Sequence, residues 1–510
     1  MTKGPTPGSG KYPWLRVFLL TCAAVLIHGY HLGTDDGEIY LPAVNKFVNP
    51  ELYPFGSQFF TTHERLTLFS KVVGITSYLT HLPVSAAVFA WHLIGIFLLL
   101  LASWRLLGTC FESARARWTG VSLLAAVLAV PVANTALVIM DPYLTARSLS
   151  TPSTVFALAF LLSRKYKRAA AWWFLTALIH PQMSAYLLVF AAILWGIQQS
   201  KSAVMGQPTT AFAIIPAFIP RGFALEPAPE PYREALMMRS YFFLQNWAWY
   251  EWCGAVLPLA ILWALSSVKL RGTLPLFRQV CRALVVFGGL SIAAALIVSL
   301  PDRMQMLARL QPMRSLHLVY VIFFLFLGGL TGEYCFRQKE WLRAAVLFVP
   351  IAVGMWFVGR ETYPSSPHIE WPGLRWHSPY ISAFLWIRDN TPKGAVFALD
   401  PKYMRAPGVD EHGFRALAER SVLADYYKDS GAVAMFPQLA GEWKREVTAQ
   451  DGWEHFGPGD FERLARQYPV SWILVEGSGP AGFDCPYHGQ GLAVCRIPSS
   501  AGQRPASDHL

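Results

Sequence analysis

The chain of 510 residues is poor in charge: Asp, Glu, Lys and Arg together supply 15% of it. That share is too low for a disordered or coiled-coil sequence and low for a water-soluble one. Cysteine is scarce as well. There are seven, with no CxxC pair and no Cys/His cluster at metal-ligand spacing, which excludes a disulfide-stapled scaffold and argues against structural zinc. No internal repeat is visible, and no small-residue cleavage site follows the short apolar stretch at 17–27, so the first helix is expected to remain uncleaved. What the chain has in abundance is apolar: 54% hydrophobic residues, 14% aromatic, 19 Trp and a mean hydropathy of +0.33. These values describe a polytopic membrane protein with many interfacial anchors.

Crossing the hydrocarbon takes about 20 apolar residues. Runs of that kind ending in Trp, Tyr, Lys or Arg number about nine. They fall at 14–30, 83–107, 118–140, 149–163, 169–197, 252–268, 283–300, 315–332 and 341–358. His180-Pro181 interrupts the fifth, where a kink or a broken helix is expected. The net charge of +11 would invite a nucleic-acid partner in a soluble chain. With the N-terminus placed inside, however, the cytoplasmic segments carry 17 basic residues against three acidic, while the outer loops balance at 11 and 11. The excess is therefore a retention signal, and no nucleic-acid partner is expected. It predicts a multi-pass protein of the inner (cytoplasmic) membrane, with a cytoplasmic N-terminus and the C-terminal part outside.

Composition shifts at Arg360. The fold expected is an α-helical polytopic membrane protein of about nine transmembrane helices, residues 1–360 with a long first outer loop at 28–82, followed by a linker at 361–375. A soluble α/β domain at 376–498 and a frayed tail at 499–510 complete it. Within the α/β domain, strands are expected at AVFALD from Ala395, SVLADY from Ser421, SWILVE from Ser471 and GLAVCRI from Gly491. Helices are expected near 380–389 and 461–468, and a helix or turn near 414–419. Cys485 and Cys495 share a polar, Pro- and Gly-containing segment, and an oxidising outer compartment predicts a disulfide closing the final hairpin.

The first outer loop holds the densest chemistry. Asp35, Asp36 and Glu38 lie within four residues, after His28 and His31, and adjacent carboxylates raise one another's pKa unless a proton, a divalent cation or a cationic substrate is shared. A solvated acidic turn is the plain alternative. The aromatic, proline-punctuated segment up to Phe60 reads as amphipathic helices lying in the interface. Other outer features are Asp141 in MDPYLTARS, the run PDRMQMLARLQPMRSLH with Arg303, Arg309, Arg314 and His317, and NWAWYEW with Glu251. Outward carboxylates suit a divalent cation, Mg²⁺ or Mn²⁺, or a proton, and arginines suit a phosphate. Each has a structural reading too: snorkelling for the arginines, a helix-end role for His180, an aromatic belt around Glu251. In the C-terminal domain, Asp400, His412 and Asp425 form no recognisable triad or metal set.

An acidic pair after the first transmembrane helix, a long first outer loop, an acidic residue in the second outer loop and a C-terminal outer α/β domain together resemble the GT-C class of integral-membrane glycosyltransferases. The whole chain also resembles a group of bacterial polytopic membrane proteins with a C-terminal periplasmic domain. Those share the DDGEIYLPAV, HPQM, WYEW and WIRDNTP segments, and the resemblance brings no activity with it. The GT-C resemblance implies a polyprenyl-phosphate-linked sugar donor, an acceptor of unspecified kind and inversion at the anomeric carbon. It also implies Asp36 or Asp35 as base, with Glu38 beside them, and Arg314 with Arg309 or Arg303 at the departing phosphate. His317, His180 and Glu251 fall to substrate or phosphate binding, and Asp141 to the acceptor or a shared cation. This sequence lacks a second acidic pair near Asp141 and a sequon-binding signature. The competing expectations are a transporter or lipid-handling protein without transfer chemistry, and a membrane-anchored scaffold acting through its outer module.

Overall fold

The computed structural model describes residues 13–130, 138–200, 227–336, 340–375 and 378–498. The tail at 499–510, residues 131–137 of the third expected span and 201–226 of the loop before the sixth lie outside the described residues. The chain forms two compact units, Met1–Tyr30 with Phe89–Pro229 and Arg239–Arg360, and His31–Val88 with Glu230–Met238 and Glu361–Leu510.

The first unit is helical, and each expected span holds a helix among the described residues. Among the described residues, six helical stretches are long and apolar enough to cross a membrane: Val84–Leu107, Pro181–Gln199, Trp249–Ser267, Pro275–Ser299, Asp302–Tyr334 and Leu342–Thr362. Pro13–His28 and Ala146–Leu162 are apolar but shorter. The fifth expected span is two helices, Tyr166–Ile179 and Pro181–Ser200. His180 between them leaves the helical region at φ −151°, because Pro181 disfavours a helical residue before it and serves as a first helical residue itself. Small residues bring helices together where no water drives them. Gly120 in Ala114–Ala126 packs on Gly328 and Leu325 of Leu316–Tyr334, so closely that a Cβ at either glycine would meet backbone atoms of the other helix. On the last apolar helix, Val346, Val349, Val353 and Phe357 stand exposed along one face, an arrangement suited to lipid.

The second unit carries a five-stranded sheet, β1 (Val396–Ala398), β2 (Ser421–Val422), β3 (Trp472–Glu476), β4 (Asp484–Gly489) and β5 (Leu492–Arg496), in the order β2-β1-β3-β5-β4. β1 runs parallel to β2 and β3, with Val396 opposite Ser421 and Phe397 opposite Trp472. β5 is antiparallel to β3 and β4, with Leu474 opposite Val494 and Ala493 opposite His488. Period-two alternation sends Phe397, Trp472, Leu474 and Val494 into one core with Ile381, Phe384 and Phe414. Val396, Ile473, Val475 and Ala493 enter the other with Phe461 and Leu464. Both faces are covered, which is why the central strands read as apolar runs. The Sγ atoms of Cys485 and Cys495 are 2.03 Å apart, joining β4 to β5.

Two sequence boundaries need correction. The first outer loop, assigned by sequence to the membrane domain, belongs to this second unit, with helices Gly37–Val48, Gln58–Glu64 and Phe69–Thr80. Its contacts are those of a folded domain: Tyr53 Oη donates to Arg415 O at 2.8 Å, Phe55 N–H to Ser421 Oγ at 3.0 Å, and Gln58 Nε2 to Glu442 Oε1 at 2.6 Å. The segment 361–375 is likewise no free linker, because Glu370 within it is fully buried and hydrogen-bonded. Residues Glu230–Met237 form a further helix of this unit, tied by Tyr232 Oη to Ala434 O at 3.0 Å and by an ion pair of Glu234 with Lys444 at 2.8 Å.

Candidate functional site

The acidic turn is built from backbone first. Thr34 forms an antiparallel bridge with His412, Gly413 N–H donates to Gly33 O at 2.9 Å, and Asp35 N–H donates to Glu411 O at 2.9 Å. Gly33 has φ +72° and packs against Ala416 where a side chain would not fit. Asp35 follows in the left-handed region at φ 49°, a conformation Asp tolerates better than most residues. The helix Gly37–Val48 then starts, and its first turn separates the three carboxylates. Asp35 and Asp36 keep about a third of their side-chain surface exposed, at 32% and 33%, whereas Glu38 is buried.

Glu38 is not open to a substrate, contrary to its expected place in the catalytic set. Its carboxylate accepts from Arg415 N–H at 3.0 Å and Ala416 N–H at 2.8 Å, capping the short helix Phe414–Ala418 from outside. A Cβ at Gly413 would overlap that carboxylate, so glycine is required there by close approach. The Arg415 guanidinium lies 3.6 Å from Glu38 and makes two parallel bonds to Asp429, at 3.0 and 2.8 Å. Asp425 turns its carboxylate to the start of the helix Lys428–Met435, taking Tyr427 N–H at 2.7 Å and Lys428 N–H at 2.5 Å. Lys428 itself reaches Asp35, and its Nζ lies 3.5 Å from Asp36 Oδ1. Burial lowers the Lys428 ammonium to about 7.

A second buried group fixes the same turn. Glu370 Oε1 lies 2.9 Å from His31 Nδ1 and 2.9 Å from His412 Nε2, while Oε2 accepts Leu32 N–H at 2.7 Å. The other nitrogen of His412 faces Val409 O at 2.7 Å. With Glu370 held ionised, these two contacts place an acceptor at each ring nitrogen, the arrangement that favours the doubly protonated ring. The sequence offered His31 and His412 separately but gave no sign of Glu370. A lone carboxylate in a Pro- and Trp-rich stretch has no periodic signature.

These burials set a pH dependence. Burial raises Glu38 to about 8 against the pull of Arg415, Asp425 to about 7 with Asp429 adding to it, and Glu446 to about 8. The unfolded chain releases these protons near 4.5 for Glu and 3.8 for Asp, so the folded state holds more protons above those values and loses stability as pH rises. His412 acts with the same sign: burial lowers it, Glu370 outweighs burial and raises it, and its contribution is complete below 6.5 and lost as pH passes its folded value. Burial would raise Glu370, yet His412 and His31 hold it below 4.5, so its contribution is present above 4.5 and lost as pH falls through that lower value. Lys428 opposes the trend only above about 7. Melting of the purified protein in detergent is therefore expected to be several degrees higher at pH 5.5 than at pH 7.5. A midpoint that rises over this interval contradicts the assignment.

The remaining expected residues lie in the helical unit. Asp141 is engaged rather than open: Arg147 Nη2 donates to both its oxygens, at 3.1 and 2.9 Å, and Thr145 Oγ1 approaches at 3.4 Å. The Arg six residues on was the available signal. Glu251 Oε2 accepts Ala248 N–H at 2.5 Å and caps the helix Trp249–Ser267, which accounts for its burial. His317 Nε2 lies 2.9 Å from Ile139 O. Arg303 is exposed, Arg309 and Arg314 are half-buried, and Arg314 lies over the Tyr241 ring at 6.0 Å. The break at His180 and the arginine segment do come together. Gln182 Nε2 donates to Leu310 O at 2.8 Å and Tyr186 Oη to Gln311 O at 2.8 Å, so two residues the sequence did not single out join them. Among the described residues no group of three or more His, Cys, Asp or Glu is arranged to hold a metal ion. The acidic pair does not fit the expected Mg²⁺ or Mn²⁺, because a lysine ammonium already lies against it.

No protein-family model matches the chain, and no curated protein sequence does. Among solved structures it is similar to the oligosaccharyltransferase of Archaeoglobus fulgidus, determined with a tethered acceptor peptide containing the NVT sequon. The two are 13% identical with a TM-score of 0.48, over 92% of this chain and 69% of that one. It is also similar to the arabinofuranosyltransferase AftD from Mycobacteria, at 12% identity and a TM-score of 0.46 over 97% of this chain. That match spans 40% of the mycobacterial protein, less than half its length.

Proposed function

We propose that this chain is an integral-membrane glycosyltransferase of the GT-C kind, moving a sugar from a polyprenyl-phosphate-linked donor to an acceptor at the outer face of the cytoplasmic membrane. The observation that carries this reading is the division of labour within DDGE. Glu38 is consumed by the fold, while Asp35 and Asp36 stay partly exposed on a turn that backbone bridges and the Glu370 clamp hold rigid. A partly exposed carboxylate held in place by buried bridges is what a catalytic base requires and what a solvated acidic turn does not.

The reaction itself is a single displacement. The acceptor hydroxyl oxygen forms a bond to the anomeric carbon as the bond from that carbon to the phosphate oxygen breaks, and the lipid phosphate departs with the electron pair. Asp36, or Asp35, takes the hydroxyl proton. The phosphate needs cationic partners, the role proposed for Arg314 with Arg309 or Arg303. One displacement inverts the anomeric centre. The charge asymmetry of the apolar helices' flanking segments supports the orientation that puts the acidic turn outside.

Deletion of the gene, followed by mass spectrometry of envelope glycans and polyprenyl-linked sugars, tests the proposal. A glycan lacking one sugar, with the matching lipid-linked sugar accumulating, is the expected result. Unchanged glycans and unchanged lipid-linked pools would remove the transferase reading.

A further inference from the structure

Two adjacent carboxylates cost stability unless a cation is shared between them. Either a divalent metal or a basic side chain meets that need, and the two make different demands. Hard divalent cations take about six or more oxygen ligands, usually from several carboxylates or carbonyls. Beside Asp35 and Asp36 the structure instead has Lys428, touching Asp35 and 3.5 Å from Asp36. Among the described residues no third His, Cys, Asp or Glu completes a metal-ligand group with the pair.

Nor is Lys428 a mobile surface side chain. Its side chain is only 12% exposed, and its backbone N–H is held by Asp425 at 2.5 Å as the first residue of the helix Lys428–Met435. Asp425 N–H in turn donates to Asp429 at 2.8 Å, and Asp429 holds the Arg415 fork. The root of the lysine is thereby tied to the network that anchors Glu38, two residues beyond Asp36.

We propose that Lys428 is the built-in cation of the Asp35–Asp36 pair, a positioning residue that does there the charge-balancing work of a divalent metal. The inference rests on the glycosyltransferase reading for the reaction it serves, but the charge pairing is measurable without any substrate.

Mn²⁺ itself is the probe, titrated by electron paramagnetic resonance into the purified full-length protein in detergent at pH 6.5. Wild type is expected to bind no Mn²⁺ more tightly than about 1 mM, the weak end of carboxylate sites. Lys428→Met is expected to gain one site roughly tenfold tighter, or more, which adding Asp36→Asn removes, while Lys428→Arg behaves as wild type. A merely structural lysine would give no such gain and no rescue by arginine. One Mn²⁺ bound to wild type and lost in Asp36→Asn overturns the proposal, as does a Lys428→Met protein that melts like wild type and gains no site. Lys428→Gln, which also removes the charge, is titrated beside it, so that gain or absence of a site is read even where Lys428→Met does not fold. The two readings fail separately: normal glycans in the deletion strain with the expected Mn²⁺ pattern remove the enzyme and leave the pairing.

Discussion

Asp36→Asn is expected to lower sugar transfer by about 100-fold or more, the low end of what a positioned general base contributes, while expression and melting stay near wild type. Asp36 stands at the N-cap position of the helix Gly37–Val48 with φ −62°, and its side chain makes no capping hydrogen bond. Lys428, 3.5 Å from Asp36, also touches Asp35 and keeps that partner when Asp36 becomes Asn. Asparagine keeps the shape and removes the negative charge, and with it the ability to take a proton. The measurement is transfer in membranes of the deletion strain carrying the variant, quantified by mass spectrometry, beside a melting curve. Full activity in Asp36→Asn would move the base to Asp35. Full activity in Asp35→Asn as well would leave the turn without a chemical role.

Arg415→Ala should do the reverse, unfolding the second unit before chemistry is reached. Its guanidinium is 2% exposed, with two bonds to Asp429 and Glu38 at 3.6 Å. Its removal leaves Asp429 in a dry interior without its counter-charge, and breaking a buried pair in this way costs about 3–5 kcal/mol. Lysine is no substitute, since the two parallel bonds need a planar fork. Arg463, paired with Asp460 at 2.6 Å but half-exposed, is the control, and its alanine variant should cost less than about 1 kcal/mol. Denaturant melts in detergent distinguish the two. Arg415→Ala and Arg463→Ala of equal stability would mean that the network contributes nothing.

What could be read before folding was local. The strands β1, β2, β3 and β5 were visible as apolar runs because both faces of the sheet are covered, and the helix break at His180-Pro181 because proline acts on its own neighbour. β4 was not, since an edge strand that contains Pro486 and a register shift after Asp484, and is nowhere fully buried, looks like a turn. Six helical stretches of membrane-crossing length were legible for the same reason as the central strands, a long run of one kind of residue. The helices at 428–435 and 440–449 were missed, being short and only partly apolar.

By itself, then, the sequence determined a polytopic helical membrane protein with a C-terminal α/β unit, and drew attention to Asp35, Asp36 and Glu38. Hydropathy and periodicity are sums over neighbours along the chain, so they survive without a fold. Only the tertiary structure decided that Glu38 anchors a helix 376 residues away, that Glu370 joins His31 to His412, and that Lys428 lies against the acidic pair. Those pairings join single polar residues far apart in the chain, Glu370 and His412 by 42 positions and the others by more than 300. Burial makes such contacts strong, and it comes only with packing.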